Sequence, residues 1–360
     1  MALAAPVLKG GYRNQYMRFV ALVANALSKG HDLLLESIKW HEKATHNGVP
    51  FELLWDVDEW NHHEKLPKLV HFDPTLHSQW NNQTTAFAGT CPTVITWFQA
   101  PHRTSVLAEV KAMTHPYAMG GARSGQPGNL WDYYRQRDKY GTQIQVHNSK
   151  NSISLQQLEE WILRAMKPSN TVKDLIQSLK PQGKPYIALH PRIEPEMLQH
   201  THCQAEKIRS LPEILNQVVD YPQFQKYSSL FVAVAMPQMT AKVTRPHQMK
   251  WFKDHQINLE TLNKTFVEGL ERPGGAGHLD VWTAGEASLE ERKVNVCMLQ
   301  LLASIVNMEL AIEADVYIGT AVSTWSNSVW KIRHWRGKPN YEFTKQGIKR
   351  VEGLPPAFRC

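Results

Sequence analysis

Cysteine is scarce in this chain of 360 residues: four occur, at Cys91, Cys203, Cys297 and Cys360, and none falls in CxxC or zinc-finger spacing. That argues against a metal knuckle and leaves room for at most two disulfides, with three possible pairings. No stretch reaches the roughly 20 apolar residues that a membrane helix requires. Repeats and low-complexity tracts are missing too, so a fibrous or disordered chain is excluded. Neither HExxH nor GxGxxG occurs, which removes two common signatures of zinc and dinucleotide chemistry.

What is present is the profile of a globular protein: 42% hydrophobic and 20% charged residues, with aromatics along the whole length. The length exceeds one ordinary core and predicts two domains, 1–180 and 181–360. The net charge of +7 and pI near 9.1 fit an anionic ligand, whether nucleotide diphosphate, nucleic acid or acidic glycan. Basic residues are scattered; their densest stretch, Lys331 to Arg350, is broken by aromatics and Gly337, so nucleic acid is not the expected partner. Asn82-Gln83-Thr84 and Asn263-Lys264-Thr265 fit the N-glycosylation pattern, or are plain surface loop. Met1 to Leu8 is too short for a signal peptide, so the expectation is either a leader or anchor upstream, with a Golgi or endoplasmic reticulum location, or a cytosolic chain.

Val7-Leu8 reads as the end of a strand and Lys9 to Asn14 as a glycine-rich turn. Phe19, Val20, Val23, Ala26 and Leu27 then recur at helical spacing, and His31 to Leu35 supplies a second strand: a parallel βαβ unit. Ser154 with Gln157 forms a capping box before a helix that ends near Pro168. Residues 167–185 mix proline and lysine around one short helical piece and make the best linker. Beyond it the alternation restarts, with strands at Tyr186-Leu189, Leu230-Ala235, Leu279-Trp282 and Val316-Ile318. A long helix opened by Ser288 and Glu291 buries Leu299, Leu302, Ala303, Val306 and Leu310, and a final helix carries Val329, Ile332 and Arg333.

Three segments carry candidate chemistry. In Gly10-Gly11-Tyr12-Arg13-Asn14-Gln15 the glycines let backbone approach a ligand and the helix start offers N–H groups to an anion, although simple turn chemistry would look the same. Tyr186 to Glu194 is a buried strand ending in His190, Arg192 and Glu194, at the strand end where open α/β sheets bind ligands. Arg192 could clamp a diphosphate by two charge-assisted bonds. Ala314 to Ser326 runs from a strand through a hydroxyl-rich turn into a helix, and serves either as a second anion cradle or as an N-cap alone.

Together, in this order, the three resemble the GDP-fucose-dependent O-fucosyltransferases of the plant-type and protein O-fucosyltransferase branches, with a GGxNQ-like loop, an HxRxE-like strand end and a closing Ser/Thr-aromatic turn. Val49-Pro50-Phe51 through Asp58 and Leu310 to Asp315 are similar to further family segments, and the likeness runs from about residue 9 to about 337. The resemblance implies an α/β, GT-B-like fold of two Rossmann-like domains facing across a cleft, the nucleotide mainly on the C-terminal one. It implies an inverting transfer of fucose from GDP-fucose to a protein or glycan hydroxyl, with no metal or other cofactor. Arg192 would meet the donor diphosphate, His190 would lie near the nucleoside, and Ser323, Thr324 and Trp325 would flank phosphates and base. Asn14 and the Gly10-Gly11 loop would face the sugar and acceptor, and Asp315 the nucleotide edge. Pro191 stands where relatives carry leucine. Gly11 is not the glutamate that one branch uses as base, so the base is unassigned.

Two rivals follow from the residues. Asp56-Val57-Asp58 is a DxD string of the kind that holds Mn²⁺ under a diphosphate in other transferases. A non-catalytic glycan- or protein-binding member of the fold is the other, since fold does not fix function. His62-His63 and His200-Thr201-His202 complete no zinc pattern, and their histidines read as solvated or structural.

Overall fold

The computed structural model describes residues 2–4, 12–34, 51–70, 143–181, 183–193, 211–234, 253–254, 277–284, 289, 299–321 and 323–354. The chain divides into two compact units, Met1–Leu175 with Lys293–Leu302, and Ile176–Arg292 with Ala303–Cys360. Both are α/β units built on parallel strands.

In the first unit β1 (Ala2–Ala4), α1 (Tyr12–Lys29) and β2 (Asp32–Leu34) form the expected βαβ unit, with Ala2 opposite Asp32 and Ala4 opposite Leu34; Val7 and Leu8 lie outside the described residues. The face read from the sequence is the one that packs: Phe19, Val20, Val23 and Ala26 are buried, and Leu27 is half-buried. Gly30 ends the helix at φ 66°, and a Cβ there would lie 2.3 Å from the His147 ring, so no other residue fits without moving that ring. β3 (Leu69–Val70) adds to β2 in parallel.

Short helices α2 (Phe51–Leu54) and α3 (Val57–His62) follow, and Phe19 packs against Phe51 and Trp60 at ring separations of 5.7 and 5.3 Å. The Trp60 indole donates to Pro67 O at 2.9 Å, which satisfies its one polar atom inside this core. A hairpin of β4 (Gln143–Gln145) and β5 (Ser152–Ser154) leads into α4 (Leu155–Ala165), whose Ser154/Gln157 capping box is formed in both directions. α5 (Asn170–Leu179) lies in the 167–185 segment.

The second unit holds β6 (Ile187–Leu189), α6 (Leu211–Asp220), β7 (Ser229–Val232), β8 (Asp280–Trp282), α7 (Leu299–Glu313) from Ala303 onward, β9 (Val316–Gly319), α8 (Thr324–Trp335), β10 (Asn340–Thr344) and β11 (Gly347–Arg350). The proposed opening of the long helix at Ser288 and Glu291 lies outside the described residues. The sheet order is β11-β10-β9-β6-β7-β8, with every neighbouring pair parallel except the β10–β11 edge hairpin. From β6 the chain builds outward through β7 and β8, then returns to the other side of β6 to add β9, β10 and β11. That is the doubly wound order of a Rossmann fold, and its direction reverses between β6 and β9.

Strands buried on both faces read as continuous apolar runs rather than alternating ones, as in Leu230-Phe231-Val232 and Val316-Tyr317-Ile318. Ile187, Leu189, Val316 and Ile318 meet α6 through Ile214, Leu215 and Val218. On the opposite face Tyr317 lies beside Trp325 and Trp330, at 6.5 and 6.4 Å. The β10–β11 hairpin was not read from the sequence, where Lys331 to Arg350 stood out only as basic. Its signal was there: Tyr341 and Phe343 alternate before a two-residue loop and Gly347, at φ 114°. Among the described residues no helix is long and apolar enough to cross a membrane.

Two phenols lie inside this core. Tyr186 donates to Leu310 O at 2.8 Å, Tyr317 is fully buried, and burial raises both pKa values above the ordinary value. Unfolded tyrosine ionises near pH 10. Above that pH the unfolded chain binds fewer protons than the folded one, so each phenol's contribution to stability is lost as pH rises. Arg333, pulled down to about 10 by burial, acts in the opposite sense. Burial also lowers Lys338 to about 8, and this lysine offsets one phenol until its unfolded value near 10.4 is passed, so the net fall, about 1.4 kcal/mol per pH unit, lies above about pH 10.5. Urea midpoints measured from about pH 10.5 to 11.5 should show it, and midpoints that hold or rise across that range would contradict this arrangement.

Candidate functional site

At the carboxyl end of β6, proline follows histidine. The pyrrolidine ring disfavours helical backbone at the residue before it, so His190 continues the strand, and its N–H still bonds Ile318 O of β9 at 2.9 Å. Arg192 then takes φ 48°, a left-handed conformation that disfavours any side chain with a Cβ. The turn puts a half-buried arginine just outside the sheet.

The neighbouring strand, β9, ends at the same edge because the two run parallel. Ser323 is the N-cap of α8, its Oγ accepting from Ser326 N at 3.3 Å, and it is buried. Thr320 N donates to Ser326 Oγ at 3.3 Å, Ala321 N to Glu342 Oε1 at 3.2 Å and Ser323 N to Thr320 O at 3.2 Å. The turn thus spends these amides on itself and on β10. Thr324 and Trp325 hold the first two helical amides, which by position have no intrahelical acceptor. They are the donors an anion could use.

His190 and Trp325 join the two strand ends. The rings lie 4.4 Å apart at 40°, and His190 Nδ1 is 2.7 Å from Ser326 Oγ. His190, Arg192, Ser323, Thr324 and Trp325 therefore gather where the sheet reverses direction, the crevice in which open α/β sheets hold ligands.

Asp315 is not brought to them. It precedes β9, at the amino edge of the sheet, where its Oδ2 accepts from Tyr186 N at 3.0 Å and its own N–H returns to Tyr186 O at 3.1 Å. The length of β9, about 13 Å for four residues, separates it from Ser323 and Trp325. The resemblance implied a place at the nucleotide edge; the structure puts Asp315 at the opposite end of β9, paired with Tyr186. Asn14 falls in the first turn of α1, in the first unit, while Gly10, Gly11, Glu194, the four cysteines and both N-glycosylation triplets lie outside the described residues.

The DxD string also has a local explanation. Asp56 is the N-cap of α3, its Oδ1 accepting from Glu59 N at 3.1 Å, and its Oδ2 lies 3.4 Å from Lys173 Nζ. Among the described residues no group of three His, Cys, Asp or Glu side chains is placed to hold a metal ion.

Sequence reasoning missed Ser326 and Glu342. Ser326 meets a histidine 136 residues away, a pairing with no local signal. Glu342 reaches the turn from the unread hairpin, where it also pairs with Lys349 at 2.9 Å.

The N-cap makes a prediction that separates fold from ligand. Ser323→Ala should lower stability by about 1 kcal/mol through loss of the cap. Chemical denaturation checks this, and an unchanged midpoint would mean that Ser323 does not hold the helix start.

No protein-family model matches the chain, and no curated protein matches it. Among solved structures, POFUT1 in complex with GDP is 13% identical at a TM-score of 0.45, with 93% of this chain and 97% of that chain covered. The NodZ alpha-1,6-fucosyltransferase soaked with GDP-fucose is 12% identical at 0.43, and the fucosyltransferase NodZ from Bradyrhizobium 14% at 0.43, each with 97% of both chains covered. At such identities and TM-scores these likenesses assign no activity to the chain.

Proposed function

We propose that the protein is an inverting glycosyltransferase that moves fucose from GDP-fucose to a hydroxyl of a protein or glycan acceptor. The observation that supports it is the convergence, at the reversal point of a doubly wound sheet, of two segments that the sequence ties to one family: His190-Pro191-Arg192 and Ser323-Thr324-Trp325. Each element answers a need of the donor. A departing diphosphate gathers negative charge, which Arg192 and the first amides of α8 can balance. Trp325, tilted against His190, offers an aromatic face to a purine. In the step itself the acceptor oxygen bonds to the anomeric carbon as the bond to GDP breaks, with inversion, and the acceptor proton passes to a base not yet assigned.

Donor identity is tested by thermal shift with GDP-fucose, GDP-mannose and UDP-sugars, since a ligand that binds only the folded state stabilises it by mass action. Only the GDP series should shift the transition, and release of fucose from GDP-fucose separates an enzyme from a binding module. No shift with any GDP compound would end this reading.

A metal-dependent transferase is the rival. It is disfavoured by Asp56, whose two oxygens serve a helix cap and a lysine. Activity should persist in excess EDTA, and Asp58→Asn should leave it unchanged. Loss in EDTA with recovery on Mn²⁺ would show that a divalent ion balances the leaving group instead.

A further inference from the structure

We infer that Glu342 is a positioning residue for the anion cradle: its carboxylate takes the Ala321 amide and so fixes the turn from which α8 starts, while Lys349 balances its charge so that it does not repel the anion received there. The anion in that statement rests on the function proposed above; the anchoring of the turn does not.

Strand register brings the carboxylate to the turn. Glu342 lies on β10 opposite Gly319, the last residue of β9, and on its other side it faces Lys349 of β11. The backbone ladder between β9 and β10 stops at the Gly319 pair. Beyond it the chain leaves the sheet and passes through Thr320 and Ala321 to Ser323, the N-cap of α8. An amide that has left the ladder still needs an acceptor where it is buried. Ala321 is 9% exposed, and its N–H meets Glu342 Oε1 at 3.2 Å, so a side chain supplies the acceptor that the ladder no longer does.

This bond differs from its neighbours in reach. Thr320 N donates to Ser326 Oγ and Ser323 N to Thr320 O, which close the turn upon its own segment. The Ala321 bond ties that closed turn to a different strand, 21 residues on. The next amides, those of Thr324 and Trp325, point where the turn directs them, and they are the ones placed to meet a diphosphate.

A carboxylate beside such a cradle would oppose the ligand if left alone. Its second oxygen, Oε2, instead lies 2.9 Å from Lys349 Nζ, with the glutamate side chain 14% exposed and the lysine 56%. An ion pair this open contributes little to stability. Its value here is local: with one oxygen on an amide and the other on an ammonium, the carboxylate presents little net charge to the turn.

Three variants separate geometry from charge. Glu342→Met keeps the length of the side chain without an acceptor, Glu342→Gln keeps the acceptor oxygen without the charge, and Lys349→Ala keeps the carboxylate without its counter-ion. Hydrogen exchange at the Ala321 amide, measured without ligand, should be slow in the wild type and in Glu342→Gln, and about tenfold faster or more in Glu342→Met. A wild-type amide that exchanges at the rate of an unstructured peptide, or one equally slow in Glu342→Met, overturns the anchoring, and the wild-type arm decides even if a variant fails to fold. Calorimetry with GDP is the second arm. Glu342→Met should raise the dissociation constant about tenfold, the loss of one well-aimed hydrogen bond to a charged ligand, and Glu342→Gln should restore it. Lys349→Ala should raise it about threefold beside Glu342 and leave it unchanged beside Glu342→Gln. Equal affinity in Glu342→Met and the wild type overturns the positioning role, and a Lys349→Ala effect of the same size in both backgrounds overturns the charge balance. If wild-type protein binds no GDP, the proposed function fails while the anchoring stands on its exchange result.

Discussion

Arg192→Ala should fold and lose donor turnover by about 100-fold or more, because a preorganised charge aimed at a leaving group is among the largest single contributions to catalysis. The backbone sharpens the expectation. At φ 48° a residue with a Cβ is disfavoured by roughly 1–2 kcal/mol, a strain that persists at positions where surrounding structure and function demand it. Glycine would relieve that strain, while its freer unfolded chain takes back about 0.4–1 kcal/mol. Arg192→Gly should therefore be as stable as Arg192→Ala or more so, while sharing the loss of activity. Paired urea melts and transfer assays test this. A folded Arg192→Ala protein with near-normal transfer would falsify the diphosphate role, and a strongly destabilised Arg192→Gly would instead make the arginine part of the fold.

Arg333→Met is expected to remove about 4 kcal/mol of stability, a large share of the 5–15 kcal/mol that holds a typical domain. The guanidinium is fully buried. Nη1 donates to Ala311 O, Ile312 O and Ala314 O at 3.1, 2.9 and 2.6 Å, Nη2 to Asp315 O and Pro339 O at 3.1 and 2.9 Å, and Nε to Asn340 Oδ1 at 3.1 Å. Ala311 O and Ile312 O lie in the last turn of α7 and Ala314 O directly follows it; the last-turn carbonyls have no helical partner and form the negative end of its dipole. Lys338 adds bonds to Ile312 O and Glu313 O, at 3.1 and 2.7 Å, while burial and Arg333 lower its own pKa to about 8. Methionine would fill the volume and leave those oxygens bare. Arg333→Lys should recover less than half of the loss, since one ammonium cannot reproduce a planar fork. A midpoint shift worth under about 1 kcal/mol for Arg333→Met would show that water reaches these carbonyls. The consequence extends to the site, because this arginine ties α8, and with it Ser323 to Ser326, to the end of α7.

By itself the sequence determined those elements whose cause is local. The period of Phe19, Val20, Val23 and Ala26 set α1, the Ser154/Gln157 box set the start of α4, and apolar runs set the buried strands β6, β7 and β9. Proline after His190 ended one strand, and the glycine and hydroxyl residues after Ile318 ended another. Both halves of the candidate site could thus be named, since each is a short string at a strand end. Tertiary structure alone decided what those strings do together. Parallel pairing of β6 with β9 brings His190 to Ser326 and sends Asp315 to the far edge. The doubly wound order makes their junction the reversal point, and Arg333, which looked like one more residue on a helix face, becomes the partner of another helix's carbonyls. The physical reason is range: capping and periodicity are settled within four residues, whereas strand order and buried hydrogen bonds join groups from 22 to 136 residues apart, and no local pattern records which of them will meet.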